Sequence, residues 1–416
     1  MHVEDLTRLV RDHHTWLSES LPLIASENIT SPAVRQLLAT DFAHRYAEGK
    51  VGRRYYQGVK YIDEVERHAI DLALKLFKAE HVNVQPVSGV NANIAAFFAL
   101  SNKNDALMAL DTSHGGHLSH GMKSAGIRHL RIIKHPFNYE EMNIDTDAMV
   151  TAIYKNKPKI VLFGASLFLF PHPVQEALDA ARDVGAAIVY DSAHVLGLIA
   201  GEEFQNPLKE GVDVMTGSTH KTFPGPQGGI IFSTRALADA IDEAVFPGTV
   251  SNHHLHHVAG LAVTLLEMLE FGKAYARQTI KNAKKLGAEL YDEGFNVLCP
   301  EKGFTESHQI VLDVGRASAL AVALEKANII ANKNLLPWDD HNAPENPSGL
   351  RFGTQELTRV GMNESEMGVV AKLISRVLNG EAPEKVKKDV VEFKNDYQEV
   401  EYCFSHELGA YEFPAW

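Results

Sequence analysis

Three short stretches of the chain hold residue types that could do covalent or acid–base chemistry. In Ser218-Thr219-His220-Lys221-Thr222-Phe223 an amine sits where an apolar run gives way to Gly225-Pro226-Gln227-Gly228-Gly229. An amine so placed can attack a carbonyl and hold it covalently; a solvated surface lysine is the plainer alternative. Thirty residues upstream, the apolar run Ala186-Ala187-Ile188-Val189-Tyr190 ends in Asp191-Ser192-Ala193-His194. A carboxylate at the end of a buried strand needs a cation or several donors. Asp191 is therefore a salt bridge or helix cap, or else the partner of a protonated ring nitrogen. The third stretch, Val87-Ser88-Gly89-Val90-Asn91-Ala92-Asn93, leads into an Ala/Phe-rich helical pattern. Small residues at such a turn let backbone N–H groups and the helix dipole grip a phosphate.

Each signal is weak alone. Together, a phosphate cradle, a strand-end aspartate and a lysine thirty residues later resemble the layout of a fold-type-I pyridoxal-phosphate enzyme. In that layout the aspartate keeps the cofactor ring protonated, so that it works as an electron sink.

The elements around these stretches fit such a scaffold. Strand candidates at 81–87, 105–110, 159–165, 186–191, 212–217 and 228–233 alternate with helical patterns at 89–101, 144–156 and 173–184. Alternation of this kind predicts an α/β fold with a mainly parallel sheet, whose ligands sit at the carboxyl ends of the strands. A helical pattern over 257–293 leads into a smaller α+β region, with strands near 295–298 and 308–314, a helix near 317–328 and a capping box at Asn363 to Glu366. The expected division is an amino-terminal arm (1–40), a large cofactor-binding domain (41–275) and a small carboxyl-terminal domain (276–416). Within the arm, a helix around Thr7 to Ser20 precedes Leu23-Ile24-Ala25-Ser26-Glu27-Asn28. That segment has no core of its own and is expected to pack on something else, a partner subunit among the candidates.

Bulk properties exclude several classes. At 416 residues the chain exceeds one small core, and 45% apolar with 22% charged residues is a globular mixture. A net charge of −13 leaves no basic excess for nucleic acid. Only Cys299 and Cys403 are present, which points to a reducing compartment rather than a disulfide framework. The opening residues lack the pattern of a secretion signal, and no run reaches the roughly 20 apolar residues of a membrane helix. The expectation is a cytoplasmic protein that binds neither nucleic acid nor membrane.

Further motifs make the resemblance specific. Leu23-Ile24-Ala25-Ser26-Glu27-Asn28, Arg45-Tyr46-Ala47-Glu48-Gly49, Gly52-Arg53-Arg54-Tyr55-Tyr56-Gln57-Gly58 and Gly115-Gly116-His117-Leu118-Ser119-His120-Gly121 are similar to signatures of serine hydroxymethyltransferases. So are Asp191-Ser192-Ala193-His194, Thr219-His220-Lys221, Asn332-Lys333-Asn334 and Gly349-Leu350-Arg351-Phe352-Gly353-Thr354, in family order from about residue 21 to 361.

The resemblance implies an aspartate aminotransferase-like fold and a role for each matching position. Lys221 would bond pyridoxal phosphate, Asp191 would bind its ring nitrogen, and His117 would stack on the ring. Ser166 and His194 would flank its phenolic oxygen, while Ser88, Gly89, Ser218 and His220 would serve its phosphate. Arg351, with Ser26 and Tyr56, would hold the substrate carboxylate. Glu48 would move a proton, and Tyr55, Gly116, Leu118 and Asn334 would join it in lining a reduced-pterin site. In the family Glu48, Tyr55 and Tyr56 come from the neighbouring subunit, which implies an obligate homodimer. The implied reaction converts serine and the pterin to glycine and its one-carbon adduct. A pterin-independent threonine or β-hydroxy-amino-acid aldolase and a catalytically silent metal-binding homologue are the alternatives.

Four departures point to an archaeal-like variant. Ser166-Leu167-Phe168-Leu169 turns quickly through Pro171-His172-Pro173 where a longer loop is usual. Gln227 replaces an arginine, and Thr112 replaces an apolar residue near the pterin. Phe246-Pro247-Gly248-Thr249-Val250-Ser251-Asn252 replaces a glycine-rich phosphate donor and runs into His253-His254-Leu255-His256-His257. His253 and His257, four apart, could share a metal on one helix face; replacement donors at the phosphate or the interface are the favoured reading.

Overall fold

The computed structural model describes residues 2–340 and 345–412. It divides into two compact units: Ala33–Ala276, and a discontinuous unit of Met1–Pro32 with Arg277–Trp416. The helix Leu255–Asp292 contains the junction. Among the described residues no helix is long and apolar enough to cross a membrane.

The continuous unit is built on a seven-stranded sheet in the order His81–Asn83, Gly229–Ser233, Val214–Ser218, Ala187–Asp191, Ile160–Phe163, Ala106–Ala109, Arg131–Lys134. The last five strands run parallel, while Gly229–Ser233 is antiparallel to both neighbours. The central strands are buried throughout except at the first residue, Ala187, of one of them, as expected of a sheet covered on both faces. Helix Gly89–Leu100 buries Ala92, Ala95, Ala96 and Phe97, in one apolar cluster with Leu162, Val189, Val214 and Ile231 of the sheet. The six expected strands are present but shorter, and the edge strand Arg131–Lys134 joins them as a seventh. Its Arg-Ile-Ile-Lys run alternates poorly, because both ends are exposed.

In the discontinuous unit, strands Gln309–Asp313, Gly349–Gly353 and Asn332–Asn334 form an antiparallel sheet with Gly349–Gly353 in the centre. Arg351 is thus the middle residue of a central strand. The expected strand at 295–298 reduces to one bridge, Val297 to Leu312. The first helix runs Val3–Ser18, and the capping box at Asn363 and Glu366 opens helix Glu364–Leu378. Leu21 and Leu23 are fully buried with Ile310, Leu350 and Phe352. Leu21–Pro22 pairs in parallel with Ile329–Ile330. The segment expected to seek another surface therefore completes this unit's own core, and a partner subunit is not what covers these two leucines.

Glu356, on helix Gln355–Arg359, is buried and accepts a hydrogen bond from the Tyr411 hydroxyl at 2.8 Å. Burial is the main cause pushing its pKa up to about 7, and Glu27 adds to the rise; Tyr411 and Lys394 oppose it. A carboxyl protonated in the fold but ionised in the unfolded chain binds more protons when folded. Between 4.5, its ordinary value, and about 7 the fold should therefore lose stability as pH rises, by about 3 kcal/mol. Glu356→Gln should flatten that slope. Urea midpoints for the two chains at about pH 5 and about pH 8 measure it.

Candidate active site

At the carboxyl ends of the parallel strands lies a cavity of about 210 Å³, lined among others by Ser88, Gly89, His117, Asp191, Ser218 and Lys221. Its floor is the end of strand Ala187–Asp191. Asp191 is buried and accepts three hydrogen bonds. Asn93 Nδ2 (2.7 Å) and His120 Nε2 (2.9 Å) donate to Oδ2, and the Ala193 amide (2.9 Å) donates to Oδ1. Burial alone would raise its pKa, but the His120 bond and charge, His117 and Asn93 outweigh it and hold the carboxyl far below its usual range. Gly164 makes this floor possible: its φ is +107°, and a Cβ would stand 2.2 Å from the Asp191 carbonyl oxygen.

The next strand delivers the amine. Val214–Ser218 ends one residue before a loop that closes on itself. There the Thr219 amide meets Gly228 O at 3.2 Å, the Gly225 amide meets Thr219 O at 2.9 Å, and Thr219 Oγ1 donates to Pro226 O at 2.7 Å. Thr222 Oγ1 then donates to His194 O (2.7 Å) and accepts from the Gly197 amide (3.0 Å). Lys221, buried between these anchors, is carried to the exit of the Asp191 strand.

Gly89 opens helix Gly89–Leu100, and Ser88 is its N-cap, accepting from the Asn91 amide at 3.1 Å. A Cβ on Gly89 would lie 2.3 Å from Ser218 Oγ, so any larger residue there would have to displace that hydroxyl from where it stands. Burial, reinforced by Lys221, lowers the His220 pKa to about 4; its Nδ1 is buried with no hydrogen-bond partner. His117 is likewise held neutral, near 4, chiefly by burial. Its Nδ1 accepts from the Ser119 amide (3.1 Å) and pairs with Ser119 Oγ (2.7 Å), which in turn takes a bond from Asn93 Nδ2 (2.9 Å). Gly115 O accepts from the Ser166 amide at 2.7 Å, tying the His117 segment to the loop after Ile160–Phe163.

Asn93 and His120 belong to this site, although sequence reasoning gave them no role. The available signal for Asn93 was a lone amide among Ala92, Ala95, Ala96 and Phe97, one turn after Gly89.

A buried amine, a carboxylate kept ionised, an unpartnered imidazole nitrogen and a glycine-led helix start against the Ser218 hydroxyl match a flat, phosphorylated, carbonyl-bearing ring. The cavity fits pyridoxal phosphate. A profile of the serine hydroxymethyltransferase family matches residues 2–374.

The chain belongs to the serine hydroxymethyltransferase family.

Proteins named serine hydroxymethyltransferase are similar over nearly all of both chains. The one from Methanocella arvoryzae is 61% identical over 99% of this chain and 98% of its own. The one from Methanocaldococcus jannaschii is 59% identical over 98% of each. The one from Archaeoglobus fulgidus is 50% identical over 100% of this chain and 95% of its own. Members of this family are pyridoxal-phosphate enzymes of fold type I, and the mainly parallel sheet described above agrees.

The cavity unites Ser88, Gly89, His117, Ser166, Asp191, His194, Ser218, His220 and Lys221 of the expected site. Glu48, Tyr55, Tyr56, Gly116 and Leu118 share the unit but do not line it. Tyr55, Tyr56 and Leu118 are 72%, 44% and 61% exposed, and Glu48 accepts a hydrogen bond from Ser251. Ser26, Asn334 and Arg351 lie in the discontinuous unit. There Arg351 is buried, with Nε donating to Asn332 Oδ1 at 3.1 Å, and burial lowers its pKa to about 10.

His253 and His257 do not share a ligand. Buried His253 pairs through Nε2 with Glu66 at 2.8 Å, in a network that adds Arg54 (2.6 Å) and Gln85 (2.8 Å). His257 Nδ1 donates to Gln227 O at 2.5 Å. Among the described residues, the histidine and acid atoms close enough to share a metal are those of His117, His120 and Asp191, inside the cofactor cavity.

Proposed function

We propose that the chain transfers the hydroxymethyl group of L-serine, reversibly, to a reduced pterin and releases glycine. The observation that carries this reading is the pairing of buried Lys221 with ionised Asp191 in one cavity of a chain from this family. Bound there, pyridoxal phosphate supplies an electron sink that labilises bonds to an amino acid's α-carbon. Lys221 would hold it covalently, and Asp191 would keep its ring nitrogen protonated. His117 would pack on the ring, with Ser166 and His194 at the phenolic side. The Ser88 hydroxyl, already accepting from Asn91, still has a proton to give a phosphate oxygen; Gly89, Ser218 and His220 complete that end.

Choice among the labile bonds falls to the residues that orient the amino acid. Arg351 stays charged at neutral pH despite burial, and a guanidinium grips a carboxylate in two directions at once. Ser26 and Tyr56 assist it. Glu48 would pass a proton at the serine hydroxyl, with Tyr55, Gly116, Leu118 and Asn334 around the pterin. The exposure of Tyr55 and Tyr56, off their own chain's cavity, supports a contribution to a neighbouring subunit; the working unit in this reading is a homodimer.

The altered surroundings at Thr112, Gln227 and the short turn after Ser166 favour a pterin whose tail differs from that of polyglutamylated folate. Tetrahydromethanopterin is such a carrier. Serine-to-glycine turnover with tetrahydromethanopterin, with polyglutamylated tetrahydrofolate and without pterin tests both levels. Higher kcat/KM with the first is expected. Preference for folate removes the carrier assignment alone, whereas turnover that ignores both pterins makes the chain an aldolase.

A further inference from the structure

We infer that Gln355 is a positioning residue for the substrate carboxylate, fixing the turn that presents Ser26. The inference rests on the assignment of Ser26 and Arg351 to that carboxylate. The segment from Leu23 to Glu27 belongs to no strand or helix, so its shape must come from groups around it. The Glu27 amide bonds Ile24 O at 3.1 Å, closing a turn with Ala25 and Ser26 at its centre. Gln355 Nε2 donates to both ends of that turn, to Ile24 O at 2.7 Å and Glu27 O at 2.6 Å. The Gly353 amide donates to Leu23 O at 2.8 Å, and His308 Nε2 pairs with Ala25 O at 3.0 Å.

Gln355 itself is fully buried, two residues beyond the strand Gly349–Gly353 that carries Arg351. Its Oε1 has no hydrogen-bond partner. Leaving a buried carbonyl oxygen unpaired is costly, so side-chain filling alone does not explain an amide here. The two N–H groups are what the position uses. A clash of 2.5 Å between a Cβ on Gly353 and both Ala25 Cα and Gln355 Oε1 shows how closely strand, glutamine and turn are fitted. One strand-to-helix run thus supplies Arg351 and, four residues on, the group that holds Ser26 in register with it.

The test uses the full-length, cofactor-loaded enzyme with Gln355→Met, which keeps the length and the packing and removes both donors. Serine KM should rise about tenfold, the effect of two modest hydrogen bonds, with kcat changing less than about threefold. Amides of Ser26 and Glu27 should exchange hydrogen faster, and cofactor content should be unchanged. Should Gln355→Met accumulate poorly, Gln355→Glu, which preserves shape but when ionised donates to neither carbonyl, is read the same way. Arg351→Lys and Ser26→Ala run beside it. If they raise serine KM and the Gln355 variants do not, the inference is overturned and the carboxylate assignment stands. If none of the variants raises it, both fall. A drop in melting temperature with KM unchanged also overturns the inference, since a purely structural glutamine would give that result.

Discussion

Lys221→Ala should fold, take up pyridoxal phosphate and fail to fix it. In the parent chain, borohydride should attach the cofactor irreversibly to Lys221; in the variant nothing should be attached. Backbone atoms, Thr219 and Thr222 anchor the loop that carries Lys221. Those contacts survive removal of the amine, so the loop, the phosphate end and Asp191 should stay in place. Serine turnover should fall by about 10³-fold or more, because no neighbouring side chain in the loop offers a second amine. Peptide mapping of the reduced protein decides the matter. A cofactor adduct on any other lysine would displace Lys221 from its role.

Asp191→Asn should be nearly as damaging, for a different reason. Asp191 accepts from Asn93, His120 and the Ala193 amide. An asparagine amide in the same place must aim one of its own N–H groups at a donor. Breaking a buried, charge-assisted set of this kind costs about 3–5 kcal/mol, or roughly two to three and a half powers of ten in rate if it falls on the transition state. Kcat for serine cleavage, measured beside cofactor content, separates loss of chemistry from loss of cofactor. Turnover within about tenfold of the parent would mean that the carboxylate's charge is not used.

These two residues were legible in the sequence because both sit where an apolar strand stops, and a charged group at such a point calls for a reason. The parallel core was legible for the same cause: its strands are continuous apolar runs with helical periods between. What escaped depends on the third dimension. Asn93 and His120 reach Asp191 across 98 and 71 residues, and no local pattern announces that. His253, favoured in the sequence as a replacement donor rather than as half of a metal pair, is set by folding against Glu66, 187 residues away. The run at 295–298 has strand composition but only Leu312 to bridge. Conversely the strand Arg131–Lys134, with exposed charged ends, is held by its neighbour Ala106–Ala109 rather than by its own pattern. Arg351 was legible only through the resemblance; its central, buried place in the strand follows from pairing on both sides.

The pairing of Leu21–Pro22 with Ile329–Ile330 sets a timetable for synthesis. Leu21 leaves the ribosome well before Ile329, its strand partner, which emerges roughly 300 positions later, a wait of about 15 to 60 s at ordinary elongation rates. Within that interval Ala33–Ala276 is completed and becomes free to fold, while the segment of Leu21 and Leu23 stays tethered and uncovered. The turn that bears Ser26 thus acquires its shape among the last parts of the molecule. Such an apolar stretch, exposed for most of translation, is where a nascent-chain chaperone has its longest opportunity to bind. Synonymous codon changes that slow the ribosome between residues 277 and 329 should lengthen that exposure without altering the finished protein.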